Sequence, residues 1–177
     1  MATPNTHFGA TEIDKMLKNV DSVYFIGIGG INMSSLAHIT HLRGKRTAGS
    51  DRTRTALTEK LEAEGIEINY EHNAKNIEGF GAVVYTVAIS PDNPEYAEAK
   101  RRGIPCISRA DYLGYVMVGY RNRIGISGMH GKSTTSSMIS EVFLSAELDP
   151  TIVLGAELPS IKGCYHGGGE EHFIFEA

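Results

Sequence analysis

The stretch from Arg123 to Thr135 constrains the fold more than any other part of the chain. A short apolar run, Ile124 to Ile126, predicts a buried strand, and a glycine-rich loop then leads into a helical pattern of residues. Glycines let backbone N–H groups turn toward a phosphate, and the N-terminus of the helix adds partial positive charge. This order of elements predicts a phosphate-binding loop.

The loop carries the two side chains that such a site uses. Lys132 can reach the β- and γ-phosphates of a nucleotide, and the hydroxyl of Ser133 can ligate Mg²⁺. Ile126 stands where the general P-loop pattern has its first glycine, so the fit is to a shorter loop, Gly-x-x-Gly-Lys-Ser. A chance Gly-Lys-Ser turn without a ligand is the alternative.

Composition limits the class of protein. With 177 residues, the chain is long enough for one domain, or for one domain and part of another. Its 41% hydrophobic and 21% charged residues are typical of a soluble globular protein, and its net charge of −4 argues against an obligate nucleic-acid binder. No apolar run is long enough to span a membrane, and no secretory signal is visible, so we expect a cytoplasmic protein with two free thiols, Cys106 and Cys164.

A second glycine loop lies near the start of the chain. The apolar run Val23 to Ile28 predicts a buried parallel strand, and Gly27-Ile28-Gly29-Gly30-Ile31-Asn32 leads from it into an apolar helix face. The next predicted strand ends in Ser50-Asp51, an acid at the spacing of the dinucleotide-binding fingerprint. The alternatives are that the glycines only permit a tight turn and that Asp51 caps a helix beginning near Thr53.

Strands and helices alternate throughout residues 20–120. Among the helices, one is predicted to start with Asn93 as its cap and Pro94 at its first position, and another to span Arg109 to Val118 with an apolar face. This pattern predicts an α/β fold, a Rossmann-like and mostly parallel sheet with helices on both faces. Ligands of such sheets bind beyond the carboxyl ends of the strands. The candidate residues at those ends are Gly27 to Asn32, Ser50, Asp51, His72, and Thr86 to Ser90.

We expect three segments: an N-terminal helix or extension at 1–20, the Rossmann-like domain at 21–120, and the truncated start of a P-loop ATPase domain at 121–177. In the third segment, Met138, Ile139, Val142, Phe143 and Ala146 are spaced as the buried face of a helix, and Gly163 to Glu171 reads as a loop. A P-loop domain usually needs more strands than these residues supply. The sequence therefore predicts a piece of a longer protein.

Both loops and their surroundings resemble the Mur ligase family. The matching residues are Tyr24 to Ser34, Gly49-Ser50-Asp51, Ala88-Ile89, Asn93-Pro94-Glu95, Pro105, Arg109-Ala110, and Gly128 to Thr135. The family usually has Thr at the positions of Met129 and Ser133. It has glycine at the position of Asn32, which we interpret as a left-handed backbone that asparagine tolerates.

The resemblance implies that the first domain binds the UDP part of UDP-N-acetylmuramate. The residues that it assigns to this site are Gly27, Ile28, Gly29, Gly30, Ile31, Asn32, Ser50, Asp51, His72, Thr86, Val87, Ala88 and Ile89.

For the second domain, the resemblance implies binding of ATP and Mg²⁺. ATP would be held by Gly128, Met129, His130, Gly131, Lys132, Ser133 and Thr134. Lys132 would neutralise charge on the transferred phosphoryl group, His130 would make a polar contact nearby, and Ser133 and Glu176 would hold metal ions. Two alternatives are a structural role for the His130 side chain and an ordinary strand-end carboxylate at Glu176.

The implied reaction joins L-alanine to UDP-N-acetylmuramate through an acyl phosphate, in the synthesis of peptidoglycan precursors. The fragment alone would bind the UDP-sugar without turnover. One alternative is a relative that joins a peptide to the same UDP-sugar in cell-wall recycling. Others are an NAD-binding oxidoreductase domain, which Gly27, Gly29 and Asp51 allow, and a non-catalytic nucleotide-sensing module.

Overall fold

The structure, a computed structural model, describes residues 6–176. The chain forms two compact units with the bounds Met1–Tyr115 and Val116–Ala177. The domain bounds expected from the sequence, 21–120 and 121–177, stay a prediction. Within the described residues, no helix combines the length and the apolar character that crossing a membrane requires.

The first unit contains a five-stranded sheet in which every neighbouring pair is parallel, in the order β3-β2-β1-β4-β5. This arrangement confirms the predicted Rossmann-like α/β class. The strand order reverses between β1 and β4, so the switch point of the sheet lies at their carboxyl ends. The strands are β1 (Ser22–Ile26), β2 (Arg46–Ser50), β3 (Glu67–Asn69), β4 (Ala82–Tyr85) and β5 (Cys106–Ser108).

Five helices accompany these strands: α1 (Ala10–Leu17), α2 (Ile31–Leu42), α3 (Ala56–Ala63), α4 (Pro94–Arg101) and α5 (Arg109–Val118), whose last three residues belong to the second unit. A short 3₁₀ helix spans Ala74–Ile77. The central strand β1 is buried from Val23 to Ile26, as its continuous apolar run predicts. Tyr24 and Ile26 belong to a core cluster that also includes Val83, Tyr85 and Tyr96.

The start of α4 was predicted correctly and the start of α3 was not. At α4, the side chain of Asn93 accepts hydrogen bonds from the backbone N–H groups of Glu95 and Tyr96, and Pro94 occupies the first turn, as the sequence predicts. At α3, the expected start near Thr53 is wrong, because the helix begins at Ala56 and Thr55 caps it through a reciprocal pair of bonds with Thr58.

The second unit contains a four-stranded sheet in the order β6-β9-β7-β8 and one long helix, α6 (Lys132–Ser145). Its strands are β6 (Asn122–Ile126), β7 (Thr151–Leu158), β8 (Gly163–His166) and β9 (His172–Glu176). The prediction of a loop from Gly163 onward is wrong for β8, which pairs antiparallel with β7. The prediction of a buried strand at Ile124 to Ile126 is also wrong, because β6 is an edge strand with one neighbour and is partly exposed.

The predicted buried face of α6 is only partly correct. Ile139 and Phe143 pack against the core cluster of the second unit, but Met138 is 64% exposed and Val142 is 66% exposed. Ala146 is exposed as well, and it lies beyond the last residue of the helix. Apolar residues form two adjacent stripes along this helix, and their spacing alone does not show which stripe a small sheet covers.

Candidate functional site

The first glycine loop turns the chain from β1 into α2. Gly27 has φ +83°, a value that L side chains rarely adopt, and a Cβ there would lie 3.0 Å from Cγ2 of Thr86. The backbone N–H groups of Gly27 and Ile28 donate to the carbonyl oxygen of Ser50 at 2.8 and 3.0 Å. The loop is therefore tied to the carboxyl end of β2.

The N-terminus of α2 is open to a ligand. Gly30 is the N-cap residue and makes no side-chain cap bond, so the first N–H groups of α2 receive no cap from it. Asn32 lies inside the first turn of the helix and does not have a positive φ, so the expected left-handed backbone at this position is wrong. Asparagine can adopt this helical backbone, so no left-handed conformation is needed to explain it at position 32.

A cavity of about 290 Å³ lies at this helix N-terminus, and Arg109 is the charged residue in its lining. The other lining residues are Gly27, Gly30, Ile31, Asn32, Met33 and Thr86. Arg109 begins α5 directly after β5, so its cation reaches the edge of the sheet where β1 and β4 end. Arg109 is a candidate site residue that the sequence-based assignment omitted, although its position directly after a predicted strand could have indicated it.

A larger cavity, of about 560 Å³, also lies at the carboxyl ends of the strands. Of the residues assigned to UDP-sugar binding, His72, Ala88 and Ile89 line it, whereas five others line neither cavity: Ile28, Gly29, Ser50, Asp51 and Val87. Residues absent from that assignment complete the lining: Arg52, Ser90, Asp92, Asn93 and Pro94. The cavity thus combines the cation of Arg52, the carboxylate of Asp92, the imidazole of His72 and the polar side chains of Ser90 and Asn93.

Asp51 braces the first glycine loop. Its Oδ2 accepts a hydrogen bond from the backbone N–H of Gly29 at 3.0 Å, and its Oδ1 accepts one from Thr53 at 3.1 Å. A Cβ on Gly29 would lie only 2.8 Å from Oδ2, so the glycine is required for this approach. The cap role considered for Asp51 is wrong, since α3 begins further on at Ala56.

The side chain of Ser50 does not face either cavity. It is fully buried, and its hydroxyl donates to Oε2 of Glu95 at 2.6 Å. Nδ1 of His72 lies 2.8 Å from the same oxygen. Glu95 is therefore the centre of a buried network that the sequence-based assignment did not include, because nothing in the local pattern shows which way a carboxylate in a first helical turn points.

The second glycine loop joins β6 to α6. Gly128 and Gly131 have φ of +155° and +75°, and Gly131 is the N-cap residue of α6. The Nζ of Lys132 donates to the carbonyl oxygen of Gly128 at 2.8 Å, so the lysine folds back over its own loop. Met129 and His130 are exposed at the tip of the loop.

Two residues assigned to metal binding meet beside this loop. Oγ of Ser133 donates to Oε2 of Glu176 at 3.2 Å, and Oγ of Ser136 donates to Oε1 at 2.8 Å. Hydroxyl and carboxylate oxygens are the ligands that Mg²⁺ prefers, so these groups fit the ion chemically. Among residues 6–176, no group of three or more His, Cys, Asp or Glu side chains could hold a metal ion.

The parallel sheet, its reversed strand order and the glycine loop at the switch point define an α/β protein of the Rossmann-like class. Residues 22–121 match the model of the Mur ligase family, catalytic domain. The chain belongs to the Mur ligase family.

Within this family, the chain is similar in sequence to ligases with one name. The chain is 48% identical over 159 residues to UDP-N-acetylmuramate–L-alanine ligase of Clostridium novyi, and the aligned region covers 90% of this chain and 35% of that ligase. It is 50% identical over 156 residues to the ligase of the same name from Agathobacter rectalis, and there the aligned region covers 88% of this chain and 34% of that ligase. The chain thus spans about a third of the length of these relatives.

Solved structures agree on the fold. The crystal structure of UDP-N-acetylmuramate–alanine ligase MurC from Thermotoga maritima matches with a TM-score of 0.82 and 30% identity, over 88% of this chain and 36% of that one. The crystal structure of UDP-N-acetylmuramate:L-alanyl-γ-D-glutamyl-meso-diaminopimelate ligase from Neisseria meningitides matches with a TM-score of 0.78 and 24% identity, over 89% of this chain and 52% of that one. At this lower identity the likeness shows the fold alone.

Proposed function

We propose that the chain is part of an ATP-dependent ligase that joins L-alanine to UDP-N-acetylmuramate in the synthesis of peptidoglycan precursors. In this reaction the carboxylate of the sugar's lactyl group takes the γ-phosphoryl group of ATP, giving an acyl phosphate and ADP. The amine of L-alanine then displaces phosphate and forms the amide bond. The observation that carries the proposal is the identity of 44–50% over about 90% of the chain to ligases with this name.

The first unit supplies the UDP-sugar site in this proposal. The uncapped N-terminus of α2 and the guanidinium of Arg109 face one cavity, and this pairing of backbone N–H groups with a cation suits a diphosphate. The larger cavity, with Arg52 and His72 in its lining, has the size and the polar groups to take the nucleoside or the sugar.

The second unit supplies a site for ATP and Mg²⁺. Lys132 begins α6 and is held at the loop by the carbonyl of Gly128, from which a phosphate could displace it. Ser133 and Glu176 would hold the metal ion, which supplies charge neutralisation on the phosphoryl oxygens. A cytoplasmic location is part of the same proposal.

Two alternatives are less well supported. A ligase that joins a peptide to the UDP-sugar would share the fold, but two solved peptide ligases are 22–24% identical to this chain, against 30% for the solved alanine ligase. A nicotinamide-binding domain would use Asp51 to bind a ribose, whereas Oδ2 of Asp51 is already bonded to the backbone of Gly29. The second glycine loop also has no role in that alternative.

Calorimetric titration of the chain with UDP-N-acetylmuramate, UDP, NAD and MgATP tests the proposal. We expect binding of the UDP-sugar and of UDP, and no measurable binding of NAD. Arg109→Gln should weaken binding of UDP roughly 10- to 100-fold, since it removes a charge-assisted hydrogen bond. Arg101→Gln, which removes the same charge at the exposed end of α4, is the matched control and should leave the affinity unchanged. Preference for NAD over UDP-N-acetylmuramate would refute the proposal.

Two variants of α6, one at the proposed metal site and one control, test the ATP site of the second unit. Ser133→Ala removes the hydroxyl beside Glu176 and should abolish the Mg²⁺-dependent part of ATP binding. Ser137→Ala changes the same residue type one turn further along α6 and should have no effect. Equal binding of MgATP by both variants would contradict the assignment of Ser133 as a metal ligand.

A further inference from the structure

Glu95 is an ionisable group placed out of reach of solvent. Its side chain is 0% exposed, although Pro94 and Ala97, in the same first turn of α4, are exposed. Oε1 accepts hydrogen bonds from Tyr24 at 3.0 Å and from Asn76 at 2.8 Å, and Oε2 accepts one from Ser50 at 2.6 Å. Nδ1 of His72, at 2.8 Å from Oε2, is the fourth group on this carboxylate.

Four polar groups converge on the two oxygens of the Glu95 carboxylate. A carboxylate accepts hydrogen bonds and does not donate them. The N-terminus of α4 adds a favourable partial charge. Burial raises the pKa of the Tyr24 hydroxyl above its ordinary value, and the negative charge of Glu95 raises it further, so Tyr24 serves as a donor.

This arrangement decides which nitrogen of His72 carries a proton. Because Oε2 of Glu95 can only accept, Nδ1 of His72 must donate to it. The hydroxyl of Ser50 donates its hydrogen to Glu95. The Oγ of Ser50, which lies 3.1 Å from Nδ1 of His72, is therefore a second acceptor for the N–H of His72. Nε2 is then the ring nitrogen that is available to a ligand in the larger cavity, which His72 lines. The side chain of His72 is 14% exposed.

We propose that Glu95 is a positioning residue that holds His72 as the Nδ1–H tautomer and presents Nε2 to the larger cavity as a hydrogen-bond acceptor. The group it would accept from is an N–H or O–H of the nucleotide ligand, such as the imide of a pyrimidine base or a ribose hydroxyl. This inference rests on the proposed binding of a uridine nucleotide in the first unit.

The tautomer can be measured without any ligand. Long-range ¹H–¹⁵N spectra of the chain, recorded at about pH 8 where an ordinary imidazole is neutral, should show His72 protonated at Nδ1 and bare at Nε2. In Glu95→Gln the amide NH₂ competes for the position of Oε2, so the spectra should shift toward protonation at Nε2. A proton on Nε2 of His72 in the unaltered chain would overturn the inference, whatever the stability of the variant.

The effect on binding is tested by a double-mutant cycle with UDP-N-acetylmuramate. Glu95→Gln and His72→Ala should each weaken binding roughly 3- to 10-fold, the range for one neutral hydrogen bond. Added to His72→Ala, the Glu95→Gln change should cost less than about 2-fold more, since it acts through the imidazole. Glu98→Gln, the matched control one turn along α4, pairs with Arg101 and Arg102 and should leave the affinity unchanged.

The outcomes separate the two proposals. If the unaltered chain binds no UDP-sugar, the proposed function fails and this inference fails with it. If the chain binds the UDP-sugar and Glu95→Gln weakens binding equally with and without His72, then Glu95 does not act through the imidazole and only the inference is wrong. Unchanged affinity in Glu95→Gln has the same consequence.

Discussion

Gly49 in β2 is the position where a single methyl group should do most damage to the first unit. Gly49 pairs with Phe25 of the central strand β1. A Cβ built on Gly49 would lie 2.4 Å from the carbonyl oxygen of Phe25 and 2.7 Å from Cδ1 of Ile28. Both distances are far below ordinary van der Waals contact, so Gly49→Ala requires the strands or the first glycine loop to move.

The size of the effect follows from what would have to move. Overpacking by one or two methyl groups usually costs about 1–3 kcal/mol. Here the nearest atom belongs to the backbone of β1, which is hydrogen-bonded to β2 on one side and to β4 on the other. A backbone held on both sides cannot relax as a flexible side chain can, so we expect a loss of about 3 kcal/mol, at the upper end of that range. For a domain of this size the loss corresponds to a melting temperature roughly 10–15 °C lower.

Thermal unfolding followed by the near-ultraviolet circular dichroism of the tyrosines measures this loss, because Tyr24, Tyr85 and Tyr112 are buried in the first unit. Gly114→Ala is the matched control. Gly114 lies inside α5, and a Cβ there would meet no atom within 4 Å. Alanine should therefore stabilise the helix by about 0.5–1 kcal/mol. Equal melting temperatures for the two variants would refute the steric argument.

Three further predictions concern single side chains of the first unit. Asn93→Ala removes both cap bonds of α4 and should lower the free energy of unfolding by about 1 kcal/mol; an unchanged urea midpoint would contradict the cap. Burial raises the pKa of the Cys106 thiol to about 11, so iodoacetamide at about pH 8 should label Cys106 only after unfolding, and rapid labelling of the native chain would contradict its burial. Burial also raises the pKa of Tyr112 to about 12, so the folded state keeps this proton where the unfolded state loses it at about pH 10. The stability due to Tyr112 should be full below about pH 10 and be lost as the pH rises toward about 12, and a tyrosinate titration in which every tyrosine ionises near pH 10 would exclude this.

Local rules predicted the elements that depend on neighbours in sequence. The bounds of α5, residues 109–118, were expected as they are observed, because its apolar spacing and the strand before it leave few other choices. The cap at Asn93-Pro94 was also predicted, since it needs only the side chain and the two N–H groups that follow. Both glycine loops were found in the same way, from glycines placed between a strand and a helix.

Local rules did not predict how segments that are distant in sequence pack together. The exposure of Met138 and Val142 depends on how much of α6 a four-stranded sheet covers, and an apolar pattern carries no information about that area. Asp51 was assigned to the UDP-sugar site or to a helix cap, and neither assignment indicated that its carboxylate accepts a hydrogen bond from the backbone of Gly29, 22 residues earlier. That contact exists only because β1 and β2 are neighbours in the sheet.

The sequence by itself determined the α/β class, the family and the two glycine loops, because periodicity, turn chemistry and motif spacing are written along the chain. The tertiary structure alone decided how the groups at the strand ends meet. Tyr24, Ser50 and His72 come from β1, β2 and the turn after β3, and they share the carboxylate of Glu95 from α4. These four segments meet only when the sheet and its helix have packed together, so no local pattern of residues specifies the contact.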